Sequence, residues 1–526
     1  MDISWDIIFL SSKHQRRKFR MTDVCIIIAI AVYLIGMIFI GIRFSNQNKN
    51  SEDFYLGGRK MGPLVVAMSA EASDMSSWLL MGLPGVAYLS GVCSAFWTAA
   101  GLAIGTWLNW FFVARRLRRY SSNIKAITVP DFLAKRFHDK RNIITAVAAL
   151  VIVIFFIPYT ASGFAACGKL FHSLFGADYM TAMVLSALVI VCYTLMGGFS
   201  AVCTTDLVQS IVMSIALITV MVFGISNAGG FTAVMDNARS LPGYFSLTKL
   251  YDATTGNASS YGGIIPIIST LAWGIGYFGM PHILVRFMSI EDEKKLVLSR
   301  RIATIWVVIA MTVAVFIGVV GLGMVKYGSI GALDDPETVI MAITNLLSKH
   351  GILPALLAGV ILAGVLAATM STSDSQLLAA ASGISQNVVK DFLGIKISEK
   401  RELFLARITI IIIAVVGVLM ARDPNSSVFG IVSFAWAGFG GAFGAVMLFS
   451  LFWKRCNLAG ALSGMVAGGV VVFVWKYFVR PLGGAFDIYE LLPAFLVSCV
   501  VIVIVSLLTK APDEAVIKEF DAANMK

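Results

Sequence analysis

The chain has 526 residues, of which 58% are apolar and only 13% charged. A soluble domain is roughly half apolar and about a quarter charged, so this balance makes lipid the main solvent and excludes a soluble domain of ordinary composition. The net charge of +11 does not gather on a separate basic domain but sits in short loops between apolar runs. There it reads as a topology signal and as contact with the anionic headgroups of a lipid bilayer, and no nucleic-acid partner is expected.

A hydrocarbon core of about 30 Å takes roughly 20 apolar residues in a helix, and such runs recur along the chain. The ten-residue alternation of an outer-membrane barrel is absent, so the spans are helical. Their cores are read at 22–43, 61–90, 91–114, 142–171, 179–197, 201–227, 262–289, 302–325, 351–388, 405–421, 426–453, 457–478 and 488–508. The expected fold class is an all-α membrane protein with 13 transmembrane helices. Two spans are unusual. The second carries Glu71, Ser73, Asp74, Ser76 and Ser77 at its centre and then Pro84; the seventh packs Gly274, Gly276, Gly279 and Pro281 into eight residues. Counted from the second span, these are first and sixth of ten, the placement that two inverted five-helix repeats give to interrupted helices at a transporter's midplane. The alternative is a pair of kinked helices in which Gly and Pro serve close packing.

Lys and Arg set the orientation. With the amino terminus outside and the carboxyl terminus in the cytoplasm, most of the 41 basic residues fall in inside loops, nine of them between Arg115 and Arg141. Lys13, Arg16, Arg17, Lys18 and Arg20 disagree, and Met21 follows them at the start of an apolar run. Residues 1–21 are therefore expected to be an N-terminal extension, with translation often starting at Met21. Mass spectrometry of the natively expressed protein tests this; a sole species starting at Met1 ends the idea.

Ala368, Ser371, Thr372 and Ser375 fall at i, i+3, i+4 and i+7 and line one helix face. Two adjacent hydroxyls there offer neutral oxygens to a hard cation, while the alternative has them bonded to the preceding turn's carbonyls. Glu71, Asp74, Asp206 and Asp374 lie in or at the edge of spans, where a charge costs about 2.5–3.5 kcal/mol on the lenient scale and marks an ion pathway by default. For Asp206, close to Gly197 and Gly198, the alternative is a carboxylate reaching an interface. Trp78, Tyr159, Trp273, Tyr277 and Phe278 flank the two interruptions or face them, as walls for a small apolar ring. The GxxxxGK[ST], HExxH and GxSxG signatures are absent, so no enzyme is expected, and uphill transport must draw on an ion gradient. Cys25, Cys93, Cys167, Cys192, Cys203, Cys456 and Cys499 stand singly and read as packing residues.

Six stretches carry a resemblance: YLGGRKMG at 55–62, SDMSSWLLMGLPG at 73–85, GGFSAVCTTDLVQS at 197–210, AWGIGYFGMPHILVRFM at 272–288, MSTSDSQLL at 370–378 and FAWAGFGGAFG at 434–444. Together they resemble the sodium/solute symporter family, in order and spacing, from about residue 22 to 510. The resemblance implies a leucine-transporter-type 5+5 inverted repeat, with one helix before it and two after. The domains would then be a peripheral helix at 22–43, a transport core at 61–453, two closing helices at 457–509 and a cytoplasmic tail at 510–526. The implied coupling ion is Na+, held by carbonyls of Ala72, Met75 and Ala368 and hydroxyls of Ser371 and Thr372, with no organic cofactor and no obligatory protein partner. Asp74 and Ser76 match family positions tied to sodium affinity, and Asp206 one tied to the ion's route. Tyr159, Trp273, Tyr277 and Pro281 match positions near the solute, with Trp78 beside them.

The implied activity is sodium-coupled symport of a small zwitterion by alternating access into the cytoplasm across the cell membrane, with L-proline the first candidate. Monocarboxylates, pantothenate and other amino acids are the alternative. Ser77 stands where proline-carrying members have glycine and Met280 where they have glutamine, so a relative of proline is also open. Asp374 lies three residues beyond Ser371, and with Asp206, Ser371 and Ser375 it defines a candidate second cation site. A coupling of strictly one cation per solute, unchanged in Asp374→Asn, rules that second site out.

Overall fold

The computed structural model describes residues 20–45, 51–253, 255–396 and 398–524, so the expected extension lies almost wholly outside the described residues. Helix α1 (Met21–Ser45) opens the described chain. The span at 61–90 is two helices: α2 (Pro63–Asp74), then a π-turn at Trp78–Gly82 leading into α3 (Leu83–Ser90). Next come α4 (Val92–Asn123), the short α5 (Val129–Arg136) and α6 (Ile143–Phe175). A 49-residue α7 (Tyr179–Asn227) follows, kinked at Gly198, where φ is 61°. A two-stranded hairpin (β1, Lys249–Asp252; β2, Asn257–Ser260) precedes α8 (Ile264–Leu271). The chain then tightens into a 3₁₀ segment at Ala272–Gly279 and bends by 48° into α9 (Pro281–Ser289). Beyond it lie α10 (Leu296–Tyr327), α11 (Val339–Ser348), α12 (Ile352–Phe392), α13 (Glu399–Met420), α14 (Val428–Phe452), α15 (Leu458–Leu482), α16 (Leu491–Leu508) and α17 (Glu514–Asn524).

Among the described residues, ten helices are long and apolar enough to cross a bilayer, or eleven if the bent pair around Met280 is one span. The expected count of thirteen is not reached by that measure. The difference falls on 61–90, where the chain breaks after Asp74, and on 179–197, which belongs to the helix Tyr179–Asn227 and lies before its kink at Gly198. The two interruptions expected from composition are both present.

The helices are started and stopped by local chemistry. Asp178 accepts the Thr181 N–H at 2.9 Å at the start of α7, and Asn457 accepts that of Gly460 at 2.9 Å before α15. Before α14 the cap is imported. The buried Glu337 carboxylate accepts from the Val428 and Phe429 amides at 3.1 Å, from Ser427 Oγ at 2.9 Å and from Lys169 Nζ at 2.8 Å. A carboxylate at a helix amino terminus meets the dipole's positive end, and this one also ties α6 and the segment before α11 to α14.

Around the seventh-span interruption the packing is backbone against backbone. A Cβ on Gly105 of α4 would lie 2.2 Å from the Gly274 carbonyl oxygen, and one on Gly276 would lie 2.0 Å from Trp436 Nε1. The 3₁₀ segment is thus gripped on two sides at positions where only a hydrogen fits. Gly36 of α1, by contrast, faces open space. Gly105→Ala is expected to destabilise the purified carrier by about 1–3 kcal/mol, read as a lower melting temperature in detergent, with Gly36→Ala unchanged or slightly more stable.

Candidate functional site

Helix α2 ends at Asp74 because its next backbone bonds are diverted. The Ser76 amide donates to Asp74 O at 2.8 Å, and Met75, at φ −75° and ψ 64°, is the centre of an inverse γ-turn. Ser76 is thereby withdrawn as the helical partner of Ala72, and the Ala72 carbonyl takes a hydrogen bond from Ser371 Oγ of α12 at 2.7 Å instead. The Asp74 carbonyl also accepts from Trp78 Nε1 at 3.3 Å and from the Tyr159 hydroxyl at 3.4 Å. The free backbone groups of the break are therefore held by side chains from α6 and α12, and every one of these residues is buried.

On α12, the hydroxyls of Ser371 and Thr372 each lie 3.2 Å from the Ala368 carbonyl, and Ser375 donates to Ser371 O at 2.9 Å. Back-bonding to the preceding turn, the alternative weighed for this helix, is present. Thr372 and Ser375 spend their hydroxyl protons there, the single Ser371 proton is shared with the nearer Ala72 carbonyl, and the oxygens keep lone pairs available. Ala72, Ala368, Ser371 and Thr372 thus meet at one point between two helices.

Solute-side residues gather around the same break. The Tyr277 hydroxyl donates to Asp74 Oδ2, Trp78 and Trp273 have ring centroids 6.1 Å apart, and Trp273 stacks on Tyr489 at 5.1 Å. Trp436 donates to the Trp273 carbonyl at 2.8 Å and meets the Tyr277 ring edge-on at 5.1 Å. Ser77 and Met280 are buried beside the two breaks, while Phe278 is half-buried. Pro281 lines a cavity of about 40 Å³ together with His282, Arg286 and Ser375.

The expected grouping of Asp206 with Ser371, Asp374 and Ser375 is revised. Arg286 Nη2 stands between Asp206 Oδ2 at 3.0 Å and Ser375 Oγ at 2.6 Å, and its Nε donates to Ser69 Oγ at 2.8 Å. Ser69 in turn donates to the same Asp206 oxygen at 2.6 Å. Asp374 accepts from Ser375 at 3.2 Å. The Arg286 guanidinium therefore engages Asp206 through Oδ2, while Asp206 Oδ1 is buried with no hydrogen-bond partner among the described residues. Asp206 is fully buried, not turned to an interface, because α7 passes Gly198 as a kink and continues helical. Arg286 was legible as a charge inside a short apolar half-helix. Trp110, Asn109 and Trp436 gave no comparable signal.

Removing one member of a buried ion pair strands the other. Asp206→Asn and Arg286→Gln are each expected to cost about 3–5 kcal/mol of stability, and the double variant less than their sum, measured as a double-mutant cycle on thermal unfolding.

Residues 54–468 match the sodium:solute symporter family. The chain is 41% identical over 504 residues to the sodium/proline symporter of Salmonella typhimurium, covering 95% of this chain and 96% of that one. It is 40% identical over 492 residues to the osmoregulated proline transporter OpuE of Bacillus subtilis, covering 93% and 96%. Among solved structures, a Na+-coupled sialic acid symporter in a substrate-bound outward-open state superposes with a TM-score of 0.77 at 19% identity, over 93% of this chain and 99% of that one. A nucleobase-cation-symport-1 family transporter in a closed conformation gives a TM-score of 0.53 at 16% identity, over 89% and 98%. The fold is of the leucine-transporter type, and the chain belongs to the sodium:solute symporter family.

Proposed function

We propose that this protein carries L-proline into the cell together with sodium, by alternating access, with the amino terminus outside and the carboxyl terminus in the cytoplasm. It is a carrier and not an enzyme, seated in the cell membrane, with 61–453 as its moving core. The observation that carries the reading is the Ser371–Ala72 contact at 2.7 Å, which joins an interrupted helix to a hydroxyl-bearing one. A sodium ion that replaces the hydrogen bond would be caged by the carbonyls of Ala72, Met75 and Ala368 and the hydroxyls of Ser371 and Thr372. All are neutral oxygens, suited to one hard monovalent cation.

The solute would lie beside the ion. Half-helix amino termini at Ser76–Trp78 and Met280–Pro281 suit its carboxylate, and released carbonyls suit its ammonium. Tyr159, Trp273, Tyr277 and Trp78 would face its ring, with Ser77 and Met280 setting the fit. Asp74 and Ser76 act on sodium by shaping the turn at Met75, and Asp206 acts with Arg286 as a structural pair on the route inward. The orientation is supported by α17. Its Glu519 lies 3.0 Å from His138, and its Phe520 meets Tyr120, so the carboxyl-terminal helix sits with the basic segment between Arg115 and Arg141. One charge crossing 100 mV supplies about 2.3 kcal/mol, and a tenfold sodium gradient about 1.4. The sum supports a solute ratio of several hundredfold.

Uptake of labelled L-proline into proteoliposomes, with and without sodium and against a panel of amino acids, monocarboxylates and pantothenate, tests the reading. Sodium-dependent uptake blocked best by unlabelled proline is expected; uptake indifferent to sodium contradicts it. Ser371→Ala and Thr372→Ala are each expected to raise the half-saturating sodium concentration tenfold or more. The proline concentration for half-maximal uptake at saturating sodium should change far less.

A further inference from the structure

A second carboxylate stands one helical turn before Asp74, and the symport cycle above gives it no task. Glu71 and Asp74 are at i and i+3 of α2, on the side that meets α4 and the second interruption rather than α12. Glu71 is 1% exposed; its Oε1 accepts from Trp110 Nε1 at 2.9 Å, and its Oε2 accepts nothing from the protein. Asp74 is fully buried, with Oδ2 taken by Tyr277 and Oδ1 unpaired. On α4, next to Trp110, Asn109 Nδ2 donates to the Tyr277 carbonyl at 3.1 Å. Because only the amide nitrogen can donate there, Oδ1 is the acceptor left over, and it too is buried and unpaired. One turn earlier on the same helix the buried Thr106 Oγ1 has no hydrogen-bond partner either.

The nearby N–H donors are thus spent on other bonds, and what remains is a set of oxygens of which only the Thr106 hydroxyl keeps a proton. Unlike Asp206, neither carboxyl has an ion-pair partner among the described residues. Two carboxylates one turn apart, out of water, repel each other unless a cation lies between them. Oxygen acceptors of mixed charge, with only the Thr106 hydroxyl among them able to donate, suit a hard monovalent cation.

We propose that Glu71, Asp74, Asn109 and Thr106, arranged around Tyr277, form a second monovalent-cation site, filled by sodium, distinct from the site at Ser371 and Thr372. This rests on the symport reading and adds a second coupled charge to it. Glu71 supplies the charge that makes the site bind. Trp110 orients its carboxylate and would orient the amide of Glu71→Gln in the same way.

The test is the steady-state accumulation of labelled L-proline in proteoliposomes with the membrane potential clamped at zero, while the sodium and proton gradients are varied separately. With two coupled cations the accumulation ratio rises with a combined power of two. A square dependence on sodium alone is expected, and first-power dependence on each gradient overturns the sodium site. Glu71→Gln is expected to lower the combined power to one. If that variant does not reach the membrane, Glu71→Asp takes its place and should keep the power of two with a raised half-saturating cation concentration. A combined power of one in the unaltered protein, a power of two retained in Glu71→Gln, or unchanged cation saturation in Glu71→Asp overturns the proposal. Accumulation driven by neither gradient is a different result, since it defeats the symport reading itself.

Discussion

A membrane interior offers backbone groups no water, so a helix can stop at its centre only if something else satisfies the groups it releases. The turn at Met75 is that stop. It removes the amide that Ala72 would have used, and the Ser371 hydroxyl on α12 takes its place at 2.7 Å. The aromatic hydroxyl and indole on Asp74's carbonyl and the buried fit of α2 against its neighbours follow from the need to support that one break. The same need makes the place sensitive to a cation, because a contact of oxygens is easily rearranged around a positive charge while a closed helix is not.

The second interruption is supported differently. Its 3₁₀ segment is enclosed by close backbone packing at Gly105 and by the Trp436 indole, which occupies the side where Gly276 has no Cβ. One broken helix is therefore held by hydrogen bonds and the other by shape. Tyr277 joins them, its hydroxyl on Asp74 and its carbonyl on Asn109. Movement of either break must be felt at the other through this residue.

Both breaks were legible in the sequence, because polar residues in the middle of an apolar run and a Gly/Pro cluster are local signals, and their matched placement carried the repeat. The hydroxyl face at Ser371 and Thr372 was legible from spacing alone. The role of Arg286 was not, since its partners Ser69, Asp206 and Ser375 lie far apart in the chain and only the fold joins them. Asp206 was open to a different reading because Gly197 and Gly198 look like a loop, whereas α7 absorbs Gly198 as a kink. The count of thirteen crossings is not reached by unbroken helices among the described residues for a related reason. A divided run such as 61–90 still reads as one span in hydropathy, while a count of unbroken helices leaves it out. Nothing local distinguishes Gly105 from other glycines in apolar helices; its importance appears only when Gly274 is laid against it.

If sodium is held where the interrupted helix meets α12, its arrival must slow the opening of those two segments more than of any others. Hydrogen–deuterium exchange of the purified carrier, compared in sodium and in choline at equal ionic strength, reads this directly. The account predicts slower exchange in sodium for peptides spanning Ala70–Leu80 and Leu366–Leu378, with little change in α1, α15 and α16. Equal exchange in both salts at those two segments, or protection confined to other helices, would contradict it.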